Sequence, residues 1–433
     1  MESGYHTTSV FWRFLMEYRR VAVTGIGAIS CLGNSVKETW DALLAGKCGI
    51  DTIKRFDMSA YRTTIAGEVK NFDITKYMSE KEARRLDDFC HYAIAATDEA
   101  LMDAGLPMDF RLEGSNIDPE RVGVCIGSGI GGMRTMEEQC MKLLQHGPGK
   151  VSPFLIPMMI LDMASGSVSM RVGAKGPNFA AVTACATASH SIGESYCTVS
   201  RGDADIMITG GAEASISRLG ISGFCSMKAL STRNDDPQHA SRPFDKDRDG
   251  FVMSEGAGIL VLEEMEHAKK RGAKIYGEII GYGATGDAYH ITSPAPGGEG
   301  GARAMKMAMK NAGINPEDVD YINAHGTSTH LNDMYETAAI KTAFGDAARK
   351  VAISSTKGGM GHSLGAAGGL ETIVCLKAME TGIVPQTLNY TTPDPDCDLD
   401  YTPNTPRERQ INVAVNTNLG FGGHNGVVIV KKV

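Results

Sequence analysis

Short apolar runs alternate with amphipathic stretches along most of the chain. The run at Arg20–Ile26 is β-branched and alternating, which predicts a strand. Helical spacing follows at Val36–Ala45 and again over Ser79–Ala104, where Ser79 and Glu82 have the spacing of a capping box. This succession of strands and helices is typical of an α/β protein.

A further unit of this kind surrounds Cys185. Phe179–Thr183 predicts a strand, Ala186–Val199 a helix rich in small residues, and Asp205–Thr209 a second strand that ends at Gly210-Gly211. The cysteine therefore lies at a strand-to-helix corner, where the N–H groups and positive end of the helix favour a thiolate. Because free cysteine titrates near ~8.5, a decrease of about one or two pKa units would leave the thiol mostly ionised at neutral pH.

The same alternation resumes in the C-terminal part of the chain. The predicted strands are Ile275–Gly281, Val319–Asn323, Val351–Ser355, Val413–Thr417 and Val427–Val430, and the predicted helices are Gly301–Asn311 and Leu364–Glu380. Glycine-rich polar corners follow three of these strands. This repetition predicts a duplicated α/β layer design whose functional site lies at the strand ends.

Composition narrows the class of protein. The net charge of −8 argues against general nucleic-acid binding, and no apolar run reaches the ~20 residues of a membrane helix. Ten cysteines are scattered without a CxxC pair, which is typical of free thiols in a reducing compartment. The head of the chain, residues 1–18, is apolar but interrupted by Arg13 and Glu17, and we leave it outside the predicted fold.

Two segments look like ligand-binding loops, but each lacks a residue that the complete motif requires. Gly127–Gly132 fits GxGxxG after a predicted strand at Arg121–Ile126, yet no acidic residue stands ~20 residues further on, as a dinucleotide site requires. Asp245–Gly250 begins like a calcium loop, but its twelfth position is Gly256 and not a glutamate. We interpret the first as a turn and the second as a charged turn.

The titratable residues at three strand-end corners suggest a common chemistry. They are Cys185, His325, and Lys357 with His362. A cysteine with two histidines suits acyl transfer through a thioester. Neutral imidazole N–H groups can then stabilise an enolate in a second half-reaction, and Lys357 would set the protonation of His362.

With these residues placed, the chain from Arg20 to Val433 resembles the β-ketoacyl-[acyl-carrier-protein] synthases, most closely the elongating type II members. The resemblance rests on VTGIG, GSGIGG, TACA, GDADIMITGGAE, DAYHITSP, AHGTST and GFGGHN. It implies a thiolase-like fold, with two pseudo-repeated halves in a five-layered αβαβα arrangement. The halves would be residues 19–275, with the nucleophilic cysteine, and residues 276–433, with the two histidines.

The resemblance also implies an activity. The reaction is decarboxylative Claisen condensation of an acyl-enzyme thioester with malonyl-[acyl-carrier-protein], which gives 3-oxoacyl-[acyl-carrier-protein] in fatty-acid elongation. The implied enzyme is a cytoplasmic homodimer without a cofactor or metal of its own. Its partner is acyl carrier protein, whose phosphopantetheine arm carries both substrates.

The family's functional residues carry over position by position. Cys185 would take the acyl group, and the backbone N–H groups of Cys185 and Phe421 would form the oxyanion hole. His325 and His362 would promote decarboxylation, with Lys357 supporting His362. Among the implied substrate-binding residues, Thr327 and Thr329 would bind the pantetheine arm, and Ile130 and Phe224 would line the acyl pocket. Thr292 and Ser293 belong to a mobile loop, Asp287–Pro294, which would face the gating and substrate-binding residue Phe421. The implied carrier-docking residues are Lys81, Arg84, Arg85, Lys150 and Lys228.

The chain departs from the family pattern at three places. Gly358-Gly359-Met360 replaces Ser-Met-Thr, which removes a hydroxyl group near His362. Leu419 replaces a phenylalanine before GFGG, a change expected to loosen the gate and alter chain-length preference. Gly149 stands where a docking arginine is often found. The first two departures leave a specialised polyketide or polyene synthase open as a second interpretation.

The residues present disfavour a non-catalytic subunit and a serine hydrolase. Non-catalytic partner subunits of this family typically lack the nucleophile, whereas Cys185 is present. A serine hydrolase would use the GxSxG pattern at Gly361–Gly365, with Asp394 or Asp396 and His424 downstream. That arrangement would leave Cys185 and the first histidine unused.

Overall fold

The computed structural model describes residues 18–112, 114 and 116–433. The expected N-terminal extension, residues 1–18, lies outside the described residues apart from Tyr18. The strands are β1 (Val21–Ile29), β2 (Asp51–Thr52), β3 (Ile65–Ala66), β4 (Val122–Gly127), β5 (Asn178–Phe179), β6 (Ile206–Glu213), β7 (Gly256–Glu264), β8 (Gly277–Gly286), β9 (Tyr321–Asn323), β10 (Ala352–Ser354), β11 (Ile383–Val384), β12 (Arg407–Glu408), β13 (Val413–Gly420) and β14 (His424–Lys431).

Helices connect these strands. They are α1 (Val36–Leu44), α2 (Glu80–Ala83), α3 (Asp88–Asp103), α4 (Met133–His146), α5 (Leu155–Met159), α6 (Met163–Val172), α7 (Thr187–Arg201), α8 (Arg218–Ser226), α9 (Met265–Lys270), α10 (Glu299–Ala312), α11 (His330–Phe344), α12 (Lys357–Met360) and α13 (Ala367–Thr381). Within the described part of the chain, no helix combines the length and apolarity that a bilayer span requires.

The main sheet repeats one topology twice. Its strand order is β10-β9-β13-β14-β8-β1-β7-β6-β4-β5. β4 lies parallel to β5 and β6, and β6 and β1 are antiparallel to β7. β9, β10 and β13, with β14 and β8, repeat the same directions. The two five-stranded halves meet at the short antiparallel contact of β1 with β8. This is the duplication that the sequence pattern predicts.

Helices fill the space between and outside these halves. α7 packs on β6 of its own half and on β14 of the other, and α13 packs on both β13 and β7. α3 and α6 cover the outer face of the first half, while α10 and α11 cover the second. Three separate apolar clusters correspond to the central layer and the two outer layers. The arrangement is therefore αβαβα, as the family resemblance implies.

Several local predictions need correction. The helix predicted over Ser79–Ala104 is two helices, because Asp87 breaks it and caps α3 by accepting a hydrogen bond from Phe89 N. The predicted capping box of Ser79 with Glu82 is present at the start of α2. The strand before Cys185 has only two residues, and Gly210-Gly211 lies inside β6 instead of ending it.

The duplication extends to the turns that precede the two central helices. Ala184 and Leu364 have left-handed backbone angles, with φ of 50° and 46°. Each begins a single 3₁₀ turn that leads directly into α7 or α13. Non-glycine residues seldom adopt this conformation, and where they do so the strain is often part of a functional site. Both turns face one cavity.

Candidate active site

A cavity of about 560 Å³ lies between the two halves, where the strands of both reach their carboxyl ends. Its wall contains Cys185, His325 and His362. Every residue that the resemblance assigns to substrate binding also lines it: Ile130, Phe224, Thr292, Ser293, Thr327, Thr329 and Phe421. Residues far apart in sequence thus form one site.

The cysteine and the two histidines are close together and buried. One ligand atom of each, the Cys185 sulfur and a ring nitrogen of His325 and of His362, lies within 4.8 Å of the other two. The imidazole rings are 5.1 Å apart and nearly perpendicular, at 86°. Their exposed fractions are 7% for Cys185 and 2% for each histidine. An acyl group on the sulfur would therefore lie beside both rings.

Gly420 allows the turn at Cys185 to lie close to the end of β13. A side chain at Gly420 would bring its Cβ within 2.5 Å of the Thr183 carbonyl oxygen and 3.2 Å of the Cys185 nitrogen. The absence of a side chain lets the backbone that leads into Phe421 pass beside the cysteine amide. This close approach brings together the two segments whose N–H groups are expected to form the oxyanion hole.

The expectation of a resting thiolate is wrong. Burial raises the pKa of the Cys185 thiol to about 12, although the nearby Lys357 ammonium acts to lower it. Cys185 is buried among apolar side chains, and this loss of hydration is the largest effect on the pKa of its thiol. Cys185 is consequently a neutral thiol at neutral pH, and a reaction at its sulfur would require a base to accept the proton.

Both histidines are neutral. Burial lowers the pKa of His325 and of His362 well below 6.5, and the Lys357 ammonium lowers both further. Among the described residues, neither ring nitrogen of His362 has a hydrogen-bond partner. The amide of Asn418 lies 3.4 Å from His325 Nδ1, which favours the tautomer with its proton on Nε2. The site thus holds two uncharged imidazoles.

Cysteine and histidine are also zinc ligands, and the donor atoms of Cys185, His325 and His362 are close enough together to contact one ion. A bound metal requires an unprotonated ring nitrogen. The Asn418 amide at His325 Nδ1 favours retention of the proton on the other nitrogen, and the Lys357 ammonium opposes a second cation. The donor arrangement therefore suits proton transfer and hydrogen bonding better than metal binding.

Lys357 lies behind the histidines in a buried ion pair. Its ammonium contacts the carboxylate of Glu371, and both side chains are 1% exposed. The second oxygen of Glu371 accepts a hydrogen bond of 2.7 Å from the Asn418 amide. A connected network of Lys357, Glu371 and Asn418 thus reaches His325. The one signal in the sequence that could have suggested Glu371 is an acid inside the apolar segment of α13.

A second buried carboxylate braces the His325 loop. Glu336 of α11 accepts hydrogen bonds of 2.7 Å from the backbone N–H groups of His325 and Gly326 and from the Thr417 hydroxyl. Sequence reasoning missed Glu336 and Asn418, because nothing in their local patterns distinguishes them from ordinary helix and strand residues. Their roles depend on contacts between distant segments.

The two loops to which the resemblance assigns a gate touch each other. Gly422 donates a backbone hydrogen bond of 2.8 Å to Ile291, and the Asn425 side-chain amide donates one of 2.7 Å to Asp287. The ring of Phe421 lies 6.4 Å from that of Phe224. The segment Asp287–Pro294 therefore faces Phe421, as the resemblance implies.

The three departures from the family pattern have different surroundings in the structure. A Cβ at Gly358 would lie 2.9 Å from the Leu388 carbonyl oxygen, so a serine there would clash. Leu419 lines the cavity. A Cβ at Gly149 would meet no described atom within 4 Å, so a side chain has room there and the structure does not explain the glycine.

The predicted docking residues lie on the surface. Lys81, Arg84, Arg85, Lys150 and Lys228 are all exposed. The Arg85 guanidinium lies 5.0 Å from the centre of the Phe154 ring, which links the end of α2 to the segment after Lys150. Lys228 stands at the cavity wall. The cations therefore lie on more than one segment, and one of them borders the entrance to the site.

The two loops that only look like ligand-binding motifs have structural roles. The Gly127–Gly132 turn contributes Gly129 and Ile130 to the cavity wall. The carboxylate of Asp245 accepts hydrogen bonds from the backbone of Thr391 and Thr392, each 2.6 Å. Asp394, an acid that a serine hydrolase would need, is instead paired with Arg248 at 2.5 Å.

Comparison with known proteins agrees with this geometry. The family description "Beta-ketoacyl synthase, N-terminal domain" matches residues 18–268, and "Beta-ketoacyl synthase, C-terminal domain" matches residues 276–391. The chain is 54% identical over 418 residues to "3-oxoacyl-[acyl-carrier-protein] synthase 2" of Staphylococcus aureus (strain N315), covering 96% of this chain and 99% of the relative. It is 51% identical over 417 residues to the protein of the same name from Synechocystis sp. (strain ATCC 27184 / PCC 6803 / Kazusa), with 96% and 99% coverage.

Solved structures show the same fold. A beta-ketoacyl synthase from Burkholderia phymatum STM815 superposes with a TM-score of 0.89 at 35% identity, covering 96% of this chain and 100% of that one. A ketosynthase solved in complex with its type II polyketide acyl-carrier protein superposes with a TM-score of 0.88 at 35% identity and the same coverage. The fold is therefore the thiolase-like fold of the ketosynthases.

Proposed function

The chain belongs to the beta-ketoacyl synthase family, and from this premise we propose how its own residues perform the reaction. It is an acyltransferase of fatty-acid elongation that condenses an acyl-enzyme thioester with malonyl-[acyl-carrier-protein]. The products are 3-oxoacyl-[acyl-carrier-protein] and carbon dioxide. The observation that carries the assignment of roles is the buried thiol within 4.8 Å of two imidazole nitrogens.

Fatty-acid elongation is favoured over a specialised polyketide or polyene pathway. Identity is 54% to the 3-oxoacyl-[acyl-carrier-protein] synthase of S. aureus, against 35% to the ketosynthase solved with a polyketide carrier protein. The catalytic cysteine and both histidines are present and assembled. A non-catalytic subunit or a serine hydrolase would leave this assembly without a purpose.

In the first half-reaction, the Cys185 sulfur attacks the carbonyl carbon of the acyl thioester. The carbon–sulfur bond to the pantetheine breaks, and the proton of the thiol passes to the departing pantetheine sulfur. Because burial holds the pKa of the thiol at about 12, the proton must leave as the new bond forms. A neutral imidazole of the adjacent pair is the base that relays it.

In the second half-reaction, the malonyl carboxylate leaves as carbon dioxide and its bonding electrons form an enolate. Neutral His325 and His362 donate N–H hydrogen bonds to the enolate oxygen. The enolate carbon attacks the acyl carbonyl, whose oxyanion is held by the N–H groups of Cys185 and Phe421. The Cys185 thiolate is then expelled and takes a proton from solvent, which restores the thiol.

The substrates arrive on acyl carrier protein. Thr327 and Thr329 lie at the cavity wall with their hydroxyl groups 2.9 Å apart, where they can bind the amide groups of a phosphopantetheine arm. The exposed cations Lys81, Arg84, Arg85, Lys150 and Lys228 would attract an acidic carrier to this face of an otherwise acidic protein. The solved ketosynthase–carrier complex of a relative supports this partner.

The functional unit in this proposal is a homodimer formed at the β5 edge of the sheet. Both residues of β5 are exposed, with Phe179 at 39%, whereas β10 at the opposite edge is buried. Val182 and Met170 add exposed apolar surface nearby, at 50% and 64%. An open strand edge with apolar neighbours is a surface that proteins usually cover.

The ten unpaired cysteines support a reducing, cytoplasmic location.

Intact mass spectrometry tests the proposal. The protein is mixed with acyl carrier proteins that bear chains of graded length, without a malonyl donor, beside Cys185→Ala as the matched control. We expect an acyl adduct on the wild type alone. Addition of malonyl-[acyl-carrier-protein] should then discharge the adduct and release carbon dioxide. A folded wild type that forms no adduct at any chain length would refute the proposed function.

A further inference from the structure

Glu213, the last residue of β6, is a fully buried carboxylate that the mechanism above does not use. It accepts hydrogen bonds at both oxygens. Oε1 accepts from Ser128 Oγ at 2.9 Å and Ile130 N at 3.3 Å, and Oε2 accepts from Gly129 N at 2.9 Å and Gly365 N at 3.0 Å. Its donors thus come from two loops, residues 128–130 after β4 and residues 363–366 after His362.

The two loops touch directly beneath the cavity wall. A Cβ at Gly365 would lie 2.3 Å from Gly129 N, and a Cβ at Gly129 would lie 2.7 Å from the Glu213 carboxylate. Neither glycine has room for a side chain. The Glu213 carboxylate joins the two loops, because it accepts a hydrogen bond from Gly129 N of the first and from Gly365 N of the second. Ile130 from the first loop and Leu364 from the second both line the cavity.

We propose that Glu213 is a positioning residue that fixes the Ile130 wall of the acyl pocket against the loop carrying Leu364, and so sets which acyl lengths Cys185 accepts. This inference rests on the proposed function, since it concerns the acyl chain bound by the same site. Glu213 also acts on the nucleophile, because its carboxylate helps to raise the pKa of the Cys185 thiol.

Glu213→Gln tests the inference with little change in shape. The glutamine amide nitrogen cannot accept a hydrogen bond. If it faces Ser128 Oγ, which can itself accept, Ile130 N loses its acceptor; if it faces the other way, Gly129 N and Gly365 N lose theirs, so in either case a loop must move. We expect the ratio of acylation rates between the preferred and the longest acyl carrier protein to change about tenfold or more, the effect of losing one charge-assisted hydrogen bond. Burial raises the pKa of Glu213 to about 7, so the carboxylate is mostly ionised only above that pH. At pH ~8 the rate of Cys185 alkylation by iodoacetamide should therefore rise in the variant, because a nearby negative charge is removed.

Glu263→Gln is the matched control. Glu263 of β7 is also fully buried and accepts hydrogen bonds from Arg271, but it does not line the cavity. Its replacement should lower stability without altering the ratio of acylation rates. If Glu213→Gln does not fold, Ser128→Ala removes a single donor and should change the ratio in the same direction by a smaller factor.

The outcomes are distinct. The positioning role alone is overturned if the folded Glu213→Gln variant shows an unchanged chain-length ratio and an unchanged alkylation rate. If that variant does not fold, an unchanged ratio in Ser128→Ala overturns the positioning role. A wild type that no acyl carrier protein acylates overturns the proposed function and this inference with it. A ratio that changes equally in Glu263→Gln would show a general effect of stability and would also overturn the positioning role.

Discussion

The buried pair of Lys357 and Glu371 allows stability and chemistry to be separated. Lys357→Met removes the ammonium and keeps an unbranched side chain, which leaves the Glu371 carboxylate unpaired in a site where both side chains are 1% exposed. Breaking such a pair from one side costs about 3–5 kcal/mol of the free energy of unfolding. The loss is measured by urea denaturation at a fixed protein concentration.

The double variant Lys357→Met/Glu371→Gln should recover most of that stability. It contains no unpaired charge, and its glutamine oxygen can still accept the hydrogen bond that Asn418 donates to Glu371. Reactivity should follow a different order. The Lys357 ammonium lowers the pKa of the Cys185 thiol and the Glu371 carboxylate raises it, so alkylation at fixed pH should slow from wild type to the double variant and slow further in Lys357→Met.

Two results would refute this reasoning. A double variant no more stable than Lys357→Met would show that the unpaired carboxylate is not the source of the loss. An alkylation rate equal in all three proteins would show that the Lys357 charge does not act on the nucleophile. Glu263→Gln serves as the control for removing a buried carboxylate elsewhere.

Three further predictions concern the site and its surface. Because the pKa values of His325 and His362 lie well below 6.5, both stay neutral as the pH falls, and their imidazole NMR signals should not titrate from about pH 8 to about pH 6.5. Gly358→Ser should lower the free energy of unfolding by about 1–3 kcal/mol, because its Cβ would clash with the Leu388 backbone 2.9 Å away; Gly149→Arg, at an open position, is the matched control and should change it by less than ~0.5 kcal/mol. Charge reversal at Lys81, Arg84 and Arg85 should raise the apparent KM for acyl carrier protein substrates and leave acylation by acyl-CoA unchanged.

Each of these has an outcome that contradicts it. An imidazole signal of His325 or His362 that titrates near pH ~6.5 would mean that this histidine has its ordinary pKa. Equal stability of Gly358→Ser and wild type would show that the 388 segment can move aside. Equal losses with carrier-bound and coenzyme A-bound acyl groups would remove the docking role.

The sequence predicted the chemistry more fully than the local structure. The pattern points to His325 and His362 because each lies beside glycine in a corner after a predicted strand. It points to Cys185 because this residue lies at a predicted strand-to-helix corner, and the carboxyl ends of strands meet in such folds. The long helix after Ser79 was predicted wrongly, because Asp87 has an acceptable helical spacing but its side chain caps the following helix instead. The pattern therefore identified the chain segments better than their exact conformations.

The charge states needed the tertiary structure. From sequence, the helix after Cys185 favours a thiolate; in the fold, the closed surroundings raise the thiol pKa to about 12. Burial depends on which segments cover a residue, and here those segments come from both halves of the chain. The same holds for Lys357, whose partner Glu371 lies on α13 and was not suspected from sequence.

The sequence by itself determined the duplicated α/β layers and the family, and it predicted the residues proposed to react, because these follow from periodicity and from motifs that are local in the chain. Only the tertiary structure decided that the thiol and both imidazoles are neutral, and that Glu213, Glu336 and Glu371 brace the loops around them. Desolvation and hydrogen bonding between distant segments exist only once those segments are packed together.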